Sequence, residues 1–285
     1  MLQIQRSFSN PSATLFLVAT PIGNLSDISL RAIETLKNVA VIASEDTRVT
    51  KKLCNHFEIT TPLISYHEHN KIQKLSTIID FLERGENVAL VSDAGMPLIS
   101  DPGNGLVQAV VEKGYYVVPI PGANAALTAL IASGLAPQPF YFHGFLDRKK
   151  SKMLKELTPL ENLRATLIFY ESPHRIKDTL ETILEAFGNR QIVIARELTK
   201  LYEEFTRGDI KEILSQISTL KGEVVLIVEG ATDTFDKEQW FKDMDFTTHV
   251  DYYINEGLRT NDAIKKVAND LGKSKQEVYK EYHNG

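Results

Sequence analysis

The stretch Ser92 to Gly103, SDAGMPLISDPG, follows the apolar run Val88 to Val91 and leads into the amphipathic run Leu106 to Val111. A strand that exits into a loop of Gly, Pro, Asp and Ser and then re-enters a helix leaves main-chain N–H and C=O groups uncovered by bulky side chains. Such a loop suits a small polar cofactor, and its candidate binding residues are Ser92, Asp93, Ala94, Gly95, Pro97, Ser100 and Asp101. A second low-bulk stretch, Pro121, Gly122 and Ala123, opens a run of small residues through Thr128 and allows close approach to a helix N-terminus. Both stretches also suit plain connections, since Asp and Gly are ordinary βα-turn residues and Pro-Gly an ordinary tight linker.

His67 and His69 alternate as on a strand end, with Glu68 between them, and so lie on one face. Two His and one Glu invite a metal reading, but a third ligand at plausible spacing is missing and no metal is expected. The single cysteine, Cys54, excludes an intrachain disulfide and a thiolate cluster and fits a reducing compartment.

Elements that could hold these residues alternate along the chain. Strands are expected at Leu15 to Ala19, Val39 to Ala43, Leu63 to Tyr66, Val88 to Val91 and Tyr116 to Ile120. Between them, Leu30 to Lys37, Thr47 to Phe57, Lys71 to Arg84 and Leu106 to Lys113 carry apolar residues at spacings of three and four. This rhythm implies a mostly parallel sheet covered by helices. It restarts with a helix over Ala123 to Gly134 and strands at Phe140 to Phe142, Thr166 to Tyr170, Ile192 to Ala195 and Val224 to Val228. Helices are expected there over Lys150 to Leu157, His174 to Phe187 and Ile210 to Ile217. Pro119 and Pro121 stiffen the chain and should stop both helix and ladder, which sets a boundary between an α/β domain over 14–119 and another over 120–230. The expected class is therefore α/β, two α/β domains sharing a cofactor cleft. Tyr170 and Glu171 end a strand of the second domain and face that cleft if ligands sit at strand carboxyl ends; a buried Tyr there is equally core.

Residues 231–285 form a helical tail. Ala263, Val267 and Leu271 share one helical face, Gly272 stops it, and Ser274 can cap a second helix over Lys275 to Tyr282. That is a helix-turn-helix outline, equally readable as a small packing tail. From Glu256 to Gly285 six basic residues face five acidic ones, too balanced for a strong phosphate-binding face.

The 285 residues carry a net charge of −5, with 43% hydrophobic and 24% charged residues. No global attraction to nucleic acid follows, so a polyanion needs a local basic patch. No apolar run approaches the roughly 18 residues of a membrane span, and the expectation is a cytoplasmic protein without membrane association.

VATPIGNLSDISLRA at Val18, SEDTR at Ser44, SDAGMPLISDPG at Ser92 and IPGANAALTAL at Ile120 stand in an order that resembles the tetrapyrrole methylase superfamily, and within it the branch acting on ribosomal RNA. SYHEHN at Ser65, FYESPHRI at Phe169, ARELTKLYEEFTRG at Ala195 and GEVVLIVEG at Gly222 extend the resemblance over about Thr14 to Gly230. Porphyrin-modifying members carry a triple-glycine loop after the first strand; here Ala19, Pro21, Gly23 and Asn24 stand in its place. That departure moves the expected substrate from tetrapyrrole to RNA.

The resemblance implies binding of S-adenosyl-L-methionine between two α/β domains, homodimerisation, and methyl transfer to the ribose 2′-hydroxyl of a decoding-region cytidine in small-subunit ribosomal RNA or the small ribosomal subunit. A cationic sulfonium prefers carbonyls and carboxylates, and its carboxylate tail prefers free N–H groups; the Asp93 to Pro97 loop and Asp101 offer both. Pro21 and Gly23 join the cofactor set. A ribose hydroxyl calls for a proton acceptor, with Glu45, Asp46, His67, His69 and Glu197 as candidates. Glu45 and Asp46 are read as orienting substrate, and the base stays unassigned. For RNA, Arg48 and Lys51 follow SEDTR, and Arg148, Lys149 and Lys150 open a basic run through Lys155. Arg175 and Arg196 stand at strand ends; basic runs are also ordinary solvated helix faces. Alternatives are a methylase of a tetrapyrrole or other small substrate, and a non-catalytic RNA-binding assembly factor.

Overall fold

The computed structural model describes residues 4–7, 13–68, 70–101, 103–217, 220–232 and 244–284. Met1–Gly230 form one compact unit and Ala231–Gly285 a second. His69, one of the proton-acceptor candidates, lies outside the described residues, as does Pro102 of the SDAGMPLISDPG loop.

The first sheet is built from β1 (Thr14–Val18), β2 (Val41–Ser44), β3 (Leu63–Ser65), β4 (Val88–Val91) and β5 (Tyr116–Ile120), in the order β3-β2-β4-β1-β5. Every neighbouring pair is parallel, as the alternating rhythm requires. Its crossovers are α1 (Leu30–Asn38), α2 (Thr47–His56), α3 (Lys71–Glu83) and α4 (Asn104–Glu112). Period-two alternation divides the central strands between two apolar cores: Leu15, Val41, Ala43, Val88 and Leu90 enter one, and Val18, Ile42, Ala89 and Val91 enter the other. A sheet buried on both faces is what a parallel sheet needs. Pro119 does not stop the ladder. It sits inside β5 in register with Leu17, and because β5 is an edge strand the missing N–H costs no interior bond.

The second sheet combines β6 (Phe140–Phe145), β7 (Thr166–Glu171), β8 (Gln191–Arg196), β9 (Glu204–Asp209) and β10 (Val224–Val228), in the order β6-β7-β10-β8-β9. Only β6 and β7 are parallel neighbours; β10 runs antiparallel to β7 and β8, and β9 antiparallel to β8. The helices here are α5 (Ala125–Ser133), α6 (Lys150–Leu157), α7 (Ile176–Phe187) and α8 (Ile210–Gln216). Leu167 and Phe169 of β7 face a core with residues of α6, α7 and α8. Ile168 faces the opposite one, with Ala126, Ala129 and Leu130 of α5 and with Ile22 from the loop after β1. Ile22 therefore ties the loop that leaves β1 to this second core.

Among the described residues the C-terminal unit has three helices, α9 (Phe246–Asn255), α10 (Thr260–Asp270) and α11 (Lys275–Asn284). Val250, Ala263, Ile264, Val267 and Val278 fill its core, as the expected face of Ala263 and Val267 implies. Ser274 caps α11: its Oγ accepts from the Glu277 N–H at 3.2 Å while the Glu277 carboxylate reaches back to Ser274, a reciprocal capping box.

Candidate active site

The loop after β4 is held in shape from below. Thr20 and Gly95 exchange main-chain hydrogen bonds at 2.9 and 3.0 Å, Thr20 Oγ1 donates to the Ser92 carbonyl at 3.1 Å, and Ser92 Oγ donates to the Gly95 carbonyl at 3.0 Å. Gly95 has φ +86°, and a Cβ there would stand 3.3 Å from Ile22 Cγ2 and 3.7 Å from the Ala123 carbonyl oxygen. Leu98 and Ser100 also adopt left-handed backbone, with φ of +72° and +66°, a conformation that costs non-glycine residues about 1–3 kcal/mol and concentrates at functional sites. The chain then enters α4 at Gly103.

A cleft of about 520 Å³ opens above this loop. The first sheet contributes Glu45, which follows β2, and Asp93, Ala94, Gly95, Met96, Ser100 and Asp101, which follow β4. All follow the carboxyl ends of parallel strands, where open α/β sheets bind ligands. Asn124 and Ala125 at the start of α5, Tyr170 and Glu171 at the end of β7, and Gly222 to Val225 entering β10 supply other walls.

Its electrostatics follow from crowding three carboxyl groups in a partly dry space. Burial, then the neighbouring Glu45 and Asp93, push the Asp101 carboxyl up to about 6, against a hydrogen bond from Ser92. Burial and Asp93 raise Glu45 as well, with His67 opposing. Asp46 goes the other way, down to about 2, because the Arg48 side chain and main-chain N–H both bond its carboxylate. Burial raises the Tyr170 phenol, against the Ala126 N–H. Among the described residues no group of three or more His, Cys, Asp or Glu is arranged to hold a metal ion.

A family model, Tetrapyrrole (Corrin/Porphyrin) Methylases, matches residues 14–214. The chain belongs to this family. It is 53% identical over 99% of both chains to ribosomal RNA small subunit methyltransferase I of Bacillus subtilis. It is 43% identical to the protein of that name from Synechocystis, over 93% of this chain and 95% of that one. Among solved structures it is similar to a diphthine synthase, with TM-score 0.60 and 14% identity over 77% of this chain and 91% of that one. Uroporphyrin-III-C-methyltransferase from Thermus thermophilus superposes with TM-score 0.54 and 19% identity, over 76% of this chain and 94% of that one. The two-sheet architecture is thus the tetrapyrrole methylase fold.

The structure brings together Glu45, Asp93, Ala94, Gly95, Ser100, Asp101, Tyr170 and Glu171 around this one cleft. It does not bring Pro21, Gly23, Ser92, Pro97, Pro121, Gly122 or Ala123 to the lining. Ser92 is buried under the loop it shapes. At Gly23 a Cβ would stand 2.6 Å from Lys200 Cγ and 2.9 Å from the Leu198 carbonyl oxygen, and at Gly122 one would stand 2.8 Å from Ala19 Cβ; both glycines permit segments to pack closely. Asp46 is the N-cap of α2, accepting from the Arg48 N–H at 2.8 Å, and His67 stands close enough to Glu45 to lower it. Glu197 Oε1 is occupied by Lys200 Nζ at 2.8 Å and the Glu223 N–H at 3.0 Å. The Glu171 carboxylate, though it lines the cleft, accepts from Thr179 Oγ1 at 2.6 Å and the Ser172 N–H at 2.7 Å.

Arg148, Lys149, Lys152 and Arg175 line an adjoining cleft of about 870 Å³ together with Asp147 and Glu156; it shares Phe145, Glu171 and Ser172 with the first, and Arg175 stands 3.5 Å from Glu171. Arg175 donates to the Asp147 carbonyl at 2.9 Å and so fixes the backbone that presents its two exposed neighbours. The other expected cations lie elsewhere: Lys150 pairs with Glu185 at 2.8 Å, Arg196 with Glu204 at 2.5 Å, and Arg48 with Asp46, while Lys51 is an exposed residue of α2. Phe145 is a lining residue that sequence reasoning missed, whereas Met96, Ile99 and Leu198 lie within SDAGMPLISDPG and ARELTKLYEEFTRG without having been singled out. Ser172, Pro173 and Gly222 to Val225 lie within FYESPHRI and GEVVLIVEG, so the resemblance already pointed at their segments.

Proposed function

We propose that this protein transfers the methyl group of S-adenosylmethionine to small-subunit ribosomal RNA, at the ribose 2′-hydroxyl of a decoding-region cytidine. The observation that carries this reading is the adjacency of a carboxylate-lined cleft and a second one where exposed Arg148 and Lys149 stand beside the paired Lys152–Asp147 and Arg175–Glu171; the two share Phe145, Glu171 and Ser172. The names of the nearly full-length relatives supply the RNA.

The carboxylate-lined cleft fits the cofactor. Its volume of about 520 Å³ lies in the range of about 300–1,000 Å³ usual for small-ligand sites, and Glu45, Asp93 and Asp101 suit a cationic group. When bound, the cofactor supplies an electrophilic methyl group on a positively charged sulfur. The protein's own part is positioning, which contributes up to about 7–11 kcal/mol when reacting atoms are held in line. Asp93 is steadied by the Asp46 N–H. A carboxylate at about 2, like that of Asp46, is a weak proton acceptor, so Asp46 serves as a cap and loop holder. Glu45, whose carboxyl is raised by burial and by Asp93 and which stands near His67, is better suited to orient the acceptor hydroxyl.

In this reading the protein is a cytoplasmic homodimer, in keeping with the exposed apolar side chains of Ile131 at 79% and Leu201 at 88%. No helix among the described residues is long and apolar enough to cross a membrane. The test is label transfer from methyl-labelled S-adenosylmethionine with small ribosomal subunits, naked ribosomal RNA and a tetrapyrrole precursor as parallel acceptors. Label in RNA supports the reading, and label only in the tetrapyrrole overturns it.

A further inference from the structure

Phe145 is 59% exposed, an unusual state for a phenylalanine, and it lines both clefts. Its direction comes from an irregularity in β6. Phe142 pairs in register with Ile168, but Gly144 pairs with Phe169 and Phe145 with Tyr170, so the ladder skips His143. In a regular strand, residues three apart point to opposite faces. The extra residue of the bulge puts Phe142 and Phe145 on the same side, a common use of bulges beside functional sites. Both rings then meet Tyr170 edge to face, at 5.0 Å and 5.5 Å. Gly144 turns the corner with φ +86°, and a Cβ there would stand 3.2 Å from Ser100 Oγ of the cleft loop. Immediately after the ring, Arg175 holds the Leu146 and Asp147 carbonyls, and exposed Arg148 and Lys149 follow.

A half-exposed aromatic face with cations a few residues away is the arrangement that holds single-stranded nucleic acid: the ring stacks a base and the cations take the phosphates. We propose that Phe145 is the stacking platform for a nucleobase of the acceptor RNA strand, standing where the cleft that carries exposed Arg148 and Lys149 opens into the carboxylate-lined one. The inference rests on the RNA-methylation reading above. It adds the residue that turns a bound strand toward the methyl donor.

The cofactor's adenine is the other flat ring that the site must hold, and the experiment separates the two. Phe145→Ala, Phe145→Leu and Phe145→Trp are compared for methyl transfer to small ribosomal subunits and, by calorimetry, for S-adenosylmethionine affinity. Ala and Leu are expected to lower kcat/KM for the subunit by roughly 10- to 100-fold, the size of a lost base stack, and Trp to recover most of it. The cofactor Kd is expected to stay within about twofold throughout, because the stack is made by RNA and not by the cofactor. Full activity of the Leu variant would reduce the ring to a filler, and a parallel loss of cofactor affinity would assign it to adenine; either overturns the platform. Failure of the underlying reading looks different, since the wild-type protein itself would then move no methyl group to the subunit.

Discussion

The Asp46 main-chain N–H donates to Asp93 Oδ1 at 3.1 Å, which ties the turn after β2 to the loop after β4. The bond makes Asp93 part of a fixed frame, because Asp46 is itself pinned as the cap of α2.

Asp93→Ala removes both the anionic charge and this tie. S-adenosylmethionine affinity should fall by at least tenfold in calorimetry, since a charge-assisted contact is worth about 1.5–3 kcal/mol. Unchanged affinity would remove Asp93 from the cofactor site.

Asp101 carries the pH dependence. Its carboxyl, pushed up to about 6, binds a proton more tightly in the folded chain than in the unfolded one. Its ionisation therefore costs folding free energy as pH rises from about 4 through about 6. Asp101→Asn should raise the Tm of the ligand-free protein above pH 7 and leave it nearly unchanged at pH 4, with a gain of about 1–2 kcal/mol after solvent screening. Wild-type cofactor affinity should weaken as pH falls through about 6, and the variant should lose that dependence. Identical Tm differences at pH 4 and pH 7.5 would contradict the assignment.

Gly95→Ala forces a Cβ into left-handed backbone at φ +86° and to 3.3 Å from Ile22. The backbone cost alone is about 1–2 kcal/mol, so Tm should drop by several degrees, and the displaced loop should weaken cofactor binding.

Arg148→Ala and Lys149→Ala should each weaken RNA binding and reduce the slope of log affinity against log salt by about 0.7, the single-strand value per phosphate contact. Cofactor affinity should not change. A salt slope equal to wild type in both variants would exclude the second cleft as a phosphate site.

Much of the frame is legible in the residues. The strands Val88–Val91, Tyr116–Ile120 and Val224–Val228 and the helix Lys150–Leu157 have the bounds that apolar periodicity implies. The antiparallel pairs of the second sheet are not, because a two-residue period carries no strand direction. Glu204–Asp209 escaped as a strand: EFTRGD is charged and polar, as an exposed edge strand tends to be. Within the expected helical tail, Phe246–Asn255 was given no bounds of its own because its Thr, Val, Tyr and Ile residues are weak helix formers. In the site, carboxylates on short loops after strands were readable from Asp93, Asp101 and Glu45. Phe145 was not, since a bulge at His143 leaves no mark in residue type and reverses the face that alternation assigns.

The central claim is tested most directly by mapping the methyl group itself. Small subunits from cells lacking this protein are incubated with methyl-labelled S-adenosylmethionine and the purified chain, and the RNA is then digested and sequenced. The account predicts label on a single 2′-O-methylcytidine in the decoding region, with an alkali-resistant linkage at that position. Label on a base, on a ribosomal protein or nowhere in the subunit would contradict it.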